Sequence, residues 1–177
     1  MNRTLSITLL FFLLFMFSVP AFGRSMVTGQ VVDAETGKPI ENAAVYICWT
    51  KPGAGPPGLA GEDIVEVAET LTDSEGSFKI PKYSTFLKQY EFTVYKNGYV
   101  CWNSRDIFPT YQKRKDFRIK DGMVIKLEHF KEEYSKEKHA IFTTTSSISS
   151  EGVFSEAIKP EREIEKEFWR RKPGESK

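Results

Sequence analysis

Short stretches of alternating apolar and polar residues, separated by turn-forming residues, occupy most of the chain between residues 26 and 127. A period of two residues is typical of a β-strand. Seven stretches fit this description, at residues 26–32, 43–49, 64–71, 77–80, 90–95, 117–119 and 123–127. No helical period occurs among them, although a parallel sheet would need crossover helices. The pattern therefore predicts a mainly β fold, a seven-stranded antiparallel sandwich.

Residues 1–23 have the layout of a secretory signal peptide. A basic start containing Arg3 precedes an uncharged, mostly apolar run at residues 4–19, which Pro20 ends. This run is shorter than the roughly 20 residues of a membrane-spanning helix. Small residues follow it, so we predict cleavage after Gly23 and export to the periplasm or the medium. An uncleaved anchor is the alternative; membrane contact is otherwise expected only through an accessory partner.

The charge balance bears on the class of partner. Lys and Arg number 25 and Asp and Glu 24, which gives a formal net charge of +1. A near-neutral chain has no overall electrostatic attraction to nucleic acid, so we expect no nucleic-acid partner. The basic run at residues 112–115 is typical of a solvated loop, with an anionic phospholipid or polysaccharide as the alternative partner.

The composition changes at about residue 127, where the sandwich domain of residues 24–127 is expected to end. Residues 128–142 are strongly charged, with apolar side chains at helical spacing. Residues 143–150 are rich in Ser and Thr, which predicts a flexible linker. A second helix should begin near Pro160, because acidic residues precede basic ones along it. Residues 128–177 thus form a predicted helical extension.

Three apolar side chains of the predicted tail helix share one side: Ile164, Phe168 and Trp169. Such a stripe either packs on the sandwich or docks a partner protein. Short isolated helices are marginally stable, which favours packing. The three residues remain candidates for partner docking.

Cys48 and Cys101 are the two cysteines of the chain. Export would place both in a compartment that permits disulfides, and their even number favours one bond. That bond would close a loop of about 50 residues and contribute about 4 kcal/mol through loop entropy. We expect this disulfide; two buried unbonded thiols are the alternative.

Each cysteine is followed by a tryptophan. Flat aromatic rings with polar tips bind sugar faces and protein surfaces. The candidate ligand-binding residues are therefore aromatic: Trp49, Trp102, Tyr46, Tyr95 and Tyr111. Burial of these rings is the alternative, because large aromatic residues of small sandwiches are mostly buried.

Three ordered motifs resemble those of a known family. They are VTGQVVDAETGKPIENAAVYI, ETLTDSEGSFKIP and YEFTVYKNGYV. The matching positions are Val27, Gly29, Val31, Asp33, Thr36, Gly37, Pro39, Ile40, Ala43, Val45, Thr72, Asp73, Gly76, Phe78, Gly98 and Tyr99. This segment, roughly residues 26–100, resembles the carboxypeptidase regulatory-like domain. The resemblance implies a prealbumin-like (transthyretin-like) Greek-key sandwich and a role as a binding, spacer or assembly module.

The association of this family with metallocarboxypeptidases raises the question of zinc. His129 and Glu132 have the H-x-x-E spacing, and His139 is the second histidine. Catalytic zinc needs three protein ligands and an open position, and these two histidines would not converge on one helix. Nucleophile and phosphate-binding motifs are also missing from the sequence. We therefore expect no catalytic, cofactor-binding or metal-binding residues.

Calcium is a weaker alternative. Hard oxygen ligands suit calcium, and acidic residues lie in or near turns: Asp33, Glu35, Asp63, Asp73 and Glu75. Asp and Glu are common in turns for backbone reasons, so turn chemistry explains them equally well.

These observations predict a non-enzymatic exported module of a bacterial cell envelope that binds an envelope protein or a polysaccharide. A protein partner would use the Gly/Pro loop at residues 51–61, an exposed sheet edge or the tail helix. A structural spacer without a ligand is one alternative. A transthyretin-like hydrolase is another, but it would need a convergent His/Arg/Ser or His/Glu cluster.

Overall fold

The computed structural model describes residues 25–54, 61–83, 89–147 and 149–171. The predicted signal segment and most of the Gly/Pro loop lie outside these residues. The described strands are β1 Met26–Asp33, β2 Ala44–Pro52, β3 Glu62–Leu71, β4 Ser77–Pro81, β5 Gln89–Tyr95, β6 Trp102–Asn103, β7 Asp106–Ile107, β8 Gln112–Lys113 and β9 Met123–Leu127. The described helices are α1 Lys136–Thr145, α2 Val153–Ala157 and α3 Lys159–Arg171. None of them has the length and apolar character needed to cross a membrane.

Two sheets face each other, which confirms the predicted mainly β sandwich. One sheet has the order β4-β1-β9 and the other β3-β2-β5-β6, while β7 and β8 form a small hairpin. Two details differ from the prediction. Strand β9 pairs in parallel with β1, so the sandwich is not wholly antiparallel. Residues 117–119 are not a strand; Phe117 and Ile119 instead pack against the core.

Every second residue of strands such as β2 contributes to the core between the sheets. In β2 the side chains of Val45, Ile47 and Trp49 point between the sheets and are at most 2% exposed. Residues from the facing sheet complete this core, among them Val31, Phe78, Ile80, Ile125 and Leu127. The alternation along the sequence therefore predicts the inner face of β2 correctly.

The outer face of β2 is buried as well, because the helical extension covers it. Phe142, Phe154 and Ile158 of the extension form a second apolar cluster on this face of the sheet. The Phe154 ring lies 5.4 Å from the Tyr46 ring and 6.5 Å from the Tyr95 ring, measured between centroids. The extension thus packs on the sandwich through a core of its own.

The Glu69 carboxylate of β3 forms hydrogen bonds to the backbone of the extension at the start of α2. Its Oε1 accepts bonds from the backbone N–H groups of Glu151 (3.1 Å) and Gly152 (3.3 Å), and its Oε2 from Phe154 (2.8 Å). The Phe154 N–H is one of the first N–H groups of α2, which have no partner within the helix, and a carboxylate also suits the positive end of the helix dipole. An edge-strand side chain therefore caps the helix that carries Phe154.

The predicted flexible linker at residues 143–150 begins instead inside a helix, which includes residues 143–145. Helix α1 begins after Ser135, whose side chain accepts a bond from the Lys138 N–H, and it runs to Thr145. Thr143 and Ser147 are almost fully buried. Each of their hydroxyls donates to the backbone carbonyl four residues earlier. Because these bonds satisfy the hydroxyl donors locally, a Ser/Thr-rich segment can lie against the sheet.

Steric constraints require glycine at two positions of the family motif, Gly29 and Gly76. A Cβ on Gly29 would overlap the ring of Phe78 on the neighbouring strand. Gly76 has a φ of +68° and lies against the carbonyl oxygen of Val31. A side chain would collide at both positions, and the positive φ favours glycine at the second.

Candidate functional site

Cys48 and Cys101 are unbonded and buried, so the predicted disulfide is absent from this structure. Cys48 lies opposite Glu91 of β5, whereas Cys101 directly precedes Trp102, which lies opposite Val94. The two cysteines are therefore offset by about 13 Å along the strands, well beyond the roughly 7 Å between Cα atoms that a disulfide tolerates. Burial raises the pKa of the Cys101 thiol to about 12 and also raises that of Cys48.

Most of the proposed aromatic ligand site is inside the protein. Trp49, Tyr46 and Tyr95 are each 2% exposed, because β2 and the end of β5 are covered on both faces. Tyr111 is half exposed and Trp102 is partly buried. The five rings therefore do not form one surface. Of the five candidate ligand-binding residues, Trp102 and Tyr111 are the ones that reach solvent.

The proposed docking stripe of the tail helix is only partly available. Helix α3 packs against α1, and Ile164 and Phe168 are partly buried. Trp169 is 52% exposed, and its indole N–H donates to Glu165 at 3.3 Å. Docking of a partner by these residues stays a prediction.

The acidic turn residues bond within the protein. Asp33 Oδ1 accepts from the N–H groups of Glu35 and Thr36, and Asp33 Oδ2 accepts from Tyr99 Oη at 3.1 Å. The Thr36 N–H is the strongest of the influences that hold the pKa of Asp33 at about 2. Asp73 likewise accepts from two backbone N–H groups of its own turn. Within the described ranges no three His, Cys, Asp or Glu residues are arranged to hold a metal ion.

A groove that the sequence did not reveal runs along the outer edge of β9. This strand pairs only with β1 among the described residues and therefore ends its sheet. Leu127 O accepts from Ala34 N, which places the backbone groups of Met123, Ile125 and Leu127 toward β1. The N–H and C=O groups of Val124 and Lys126 therefore point away from the sheet. Val124 is 53% exposed.

The exposed edge is short because the chain itself closes its far end. Val100 N donates to Glu128 O, and Tyr99 forms a β-bridge with His129. Beyond Val100 the chain leaves this edge and enters β6 of the other sheet. A cavity of about 380 Å³ opens there between the two sheets, and β9 forms one wall of it.

The opposite wall consists of Trp102, Arg114 and Phe117. The Trp102 and Phe117 rings meet edge to face at 4.8 Å, which fixes the indole. The Arg114 guanidinium lies over the indole, 4.5 Å from its centroid, and its Nε donates to Asn103 O at 2.9 Å. Stacking and this bond orient the guanidinium beside the groove.

The charges around the groove are mixed. Arg114 and Lys126 are basic, whereas Asp116 and Glu128 are acidic. Burial lowers the pKa of Arg114, and the nearby carboxylates act in the opposite direction. The ordinary pKa of arginine is so high that the group stays charged. The groove therefore offers backbone hydrogen bonds, an aromatic wall and one oriented cation.

The carboxypeptidase regulatory-like domain is the family whose model matches this chain, over residues 26–120. Similar solved structures include 3-chlorocatechol 1,2-dioxygenase from Rhodococcus opacus 1CP, with 16% identity, a TM-score of 0.36 and coverage of 59% of each chain. The shaft pilin SpaA from Lactobacillus rhamnosus GG has 14% identity and a TM-score of 0.35, over 60% of this chain and 46% of the pilin.

Catechol 1,2-dioxygenase from Pseudomonas arvilla C-1 has 14% identity and a TM-score of 0.37, over 61% of this chain and 53% of that one. The chain spans less than two thirds of the length of each of these three structures. A search of curated proteins found no match.

Proposed function

The chain belongs to the carboxypeptidase regulatory-like domain family, and we propose that it is a non-enzymatic, exported module of the cell envelope that binds an extended segment of a partner protein. The observation that carries the proposal is the open outer edge of β9 beside the Trp102 wall. Export is supported by the signal-peptide layout of residues 1–23.

Strand addition explains how the groove would work. A partner strand would pair with the N–H and C=O groups of Val124 and Lys126 and continue the sheet beyond β9. Its side chains would alternate between solvent and the cavity that Trp102 and Phe117 line. Backbone pairing supplies affinity that is independent of sequence, whereas the aromatic wall selects apolar side chains.

Arg114 adds a second element of selectivity. Its Nε is already bonded to Asn103, so the two terminal nitrogens are the donors that remain for a ligand beside the groove. A guanidinium held in a fixed orientation suits a carboxylate of an acidic side chain or a chain terminus. We expect peptides that carry a carboxylate next to an apolar residue to bind best.

The alternatives have less support. A sugar needs an open aromatic face, but Arg114 covers one face of Trp102, and Trp49, Tyr46 and Tyr95 are buried. Hydrolysis would need a convergent catalytic cluster, and the groove walls contain no histidine. A spacer without a ligand makes no use of the groove, so it would bind no peptide there.

The test selects peptides from a displayed library of random linear sequences on immobilised residues 24–177. Affinity of the selected peptides is then measured for the Val124→Pro variant, which loses an N–H that the fold does not use. Proline at a sheet edge blocks pairing while leaving the strand in place, so we expect binding to fall at least about tenfold.

Val124→Thr is the matched control, because it changes the same exposed side chain but keeps the N–H. It should bind as the unmodified chain does. Arg114→Gln should weaken only the peptides that carry the carboxylate. Selection of no peptide above background would favour a spacer, and equal binding by Val124→Pro would place the binding site elsewhere.

A further inference from the structure

A second cavity lies where the end of the sandwich meets helices α1 and α3. Its volume is about 200 Å³. The walls are mainly aromatic and aliphatic: Tyr99, Phe130, Pro160 and Ile164. His139 and Glu161 also line it, and their side chains are 4% and 11% exposed. A small, largely apolar cavity with a buried carboxylate is typical of a site for a small ligand.

One oxygen of the Glu161 carboxylate accepts a hydrogen bond from Tyr95 and lies close to His139. Tyr95 Oη donates to Oε1 at 3.0 Å, and His139 Nδ1 lies 3.4 Å from the same atom. Its other oxygen, Oε2, has no hydrogen bond to any residue that the structure describes. Burial, followed by the Glu161 charge, raises the pKa of Tyr95, so the phenol keeps its proton and stays a donor.

His139 does not neutralise that charge. Its Nε2 accepts a hydrogen bond from the backbone N–H of Cys101 at 2.9 Å, so this nitrogen carries no proton. The ring proton is therefore on Nδ1, which lies 3.4 Å from Glu161 Oε1. Phe108 and Phe130 pack edge to face on the ring and keep it in place.

No lysine or arginine within the described ranges lies within 4.0 Å of the Glu161 carboxylate. The basic side chain that does lie within this distance is His139. Lys136 lines the same cavity without forming that ion pair. Because Glu161 Oε2 accepts no bond from the described residues, it is available to a cation that enters the cavity. The cavity therefore has a place for one positive charge.

We infer that this cavity is a binding site for a primary ammonium group, whose charge pairs with Glu161 Oε2 and whose alkyl chain lies between Tyr99, Phe130 and Ile164. The aromatic walls add attraction for a cation. The ammonium group belongs either to a free alkylamine or to a lysine side chain of another protein. This inference is independent of the groove along β9, because the two sites share no lining residue.

The test measures binding of n-butylammonium chloride to residues 24–177 by calorimetry and by the shifts of the His139 ring resonances. n-Butanol has the same alkyl chain without the charge, and potassium chloride controls for ionic strength. We expect saturable binding of the amine that is at least about tenfold tighter than any binding of the alcohol, because a bond to a charged group is the stronger kind. Nα-acetyl-lysine methylamide forms a second arm. Binding of the amine alone identifies a free amine, and binding of both shows that the cavity also admits a lysine side chain.

Two variants locate the site. Glu161→Gln keeps an oxygen that accepts from Tyr95, so the fold should persist while amine binding falls at least about tenfold. Ile164→Trp keeps the carboxylate but fills the cavity, and it should abolish binding if Glu161→Gln proves unstable. Glu163→Gln is the matched control on the same helix, because Glu163 is exposed and paired with Lys166. Equal binding of amine and alcohol, or undiminished binding by Ile164→Trp, would overturn the inference.

Discussion

Replacing Phe154 by alanine tests whether the helical extension and the sandwich unfold as one unit. The Phe154 side chain is fully buried, and it contacts Tyr46 and Tyr95 on the outer face of the sheet. Removing a buried phenylalanine ring costs about 3–5 kcal/mol, because apolar contacts are lost and a cavity remains. Helix α2 is short and can relax toward the sheet, so we expect the lower end, about 3 kcal/mol. That is a large part of the roughly 5–15 kcal/mol that stabilises a domain.

The assay is urea unfolding of residues 24–177, followed by tryptophan fluorescence and by far-ultraviolet circular dichroism. Trp49 lies in the core between the sheets, and Trp169 of α3 is replaced by Phe in every variant, so that fluorescence reports on the sandwich. Both signals should shift together in Phe154→Ala. Val153→Ala is the matched control, because Val153 is 40% exposed and its truncation should change stability by less than about 0.5 kcal/mol. If Phe154→Ala left the urea midpoint measured by fluorescence unchanged and lowered only the helical circular-dichroism signal, the extension and the sandwich would not unfold as one unit.

Three further predictions follow from other contacts. Glu69→Ala should lower the free energy of unfolding by about 1–3 kcal/mol in the same urea assay, because three backbone N–H groups at the start of α2 lose their acceptor. The pKa of Asp33 is about 2 in the folded protein, below its ordinary 3.8, so its contribution is complete above about pH 4 and is lost as the pH falls toward 2. Urea midpoints measured across that range should therefore fall less steeply for Asp33→Asn. Cys48 and Cys101 should resist a thiol reagent in the native protein and both react after denaturation, whereas a bonded pair would react only after reduction.

The strand pattern of the sequence predicts the sandwich because period two is a local property. In residues 43–49 it separates Val45 and Ile47 from Tyr46 and Cys48, which do lie on opposite faces. The same pattern cannot show that the second face is buried too. That depends on Phe142 and Phe154, which lie about 100 residues later in the chain and whose docking is a tertiary event.

Composition misled the prediction at two places. Ser and Thr at residues 143–147 indicate a linker, yet their hydroxyls bond to the preceding turn of helix, which makes them compatible with burial. The two Cys-Trp pairs suggested a disulfide, but the offset between Cys48 and Cys101 along the strands depends on the register of β5 with its two neighbours.

The groove along β9 lay beyond sequence reasoning for a related reason. The alternation in MVIKL predicts a strand with Val124 and Lys126 on the exposed side, and both residues are exposed. Whether a strand ends its sheet is a matter of topology, and the parallel pairing of β9 with β1 leaves no local signal. The sequence predicts Trp102 as a ligand residue, but Arg114, which covers its face, lies 12 positions away in an irregular segment.

Hydrogen exchange at the Val124 and Lys126 amides tests the central claim most directly. In the isolated chain both N–H groups point away from the sheet, so both should exchange rapidly. Saturation with a selected peptide should slow their exchange at least about tenfold, because the peptide strand would then bond them. Peptide binding that leaves both amides as fast as in the isolated chain would contradict strand addition at β9.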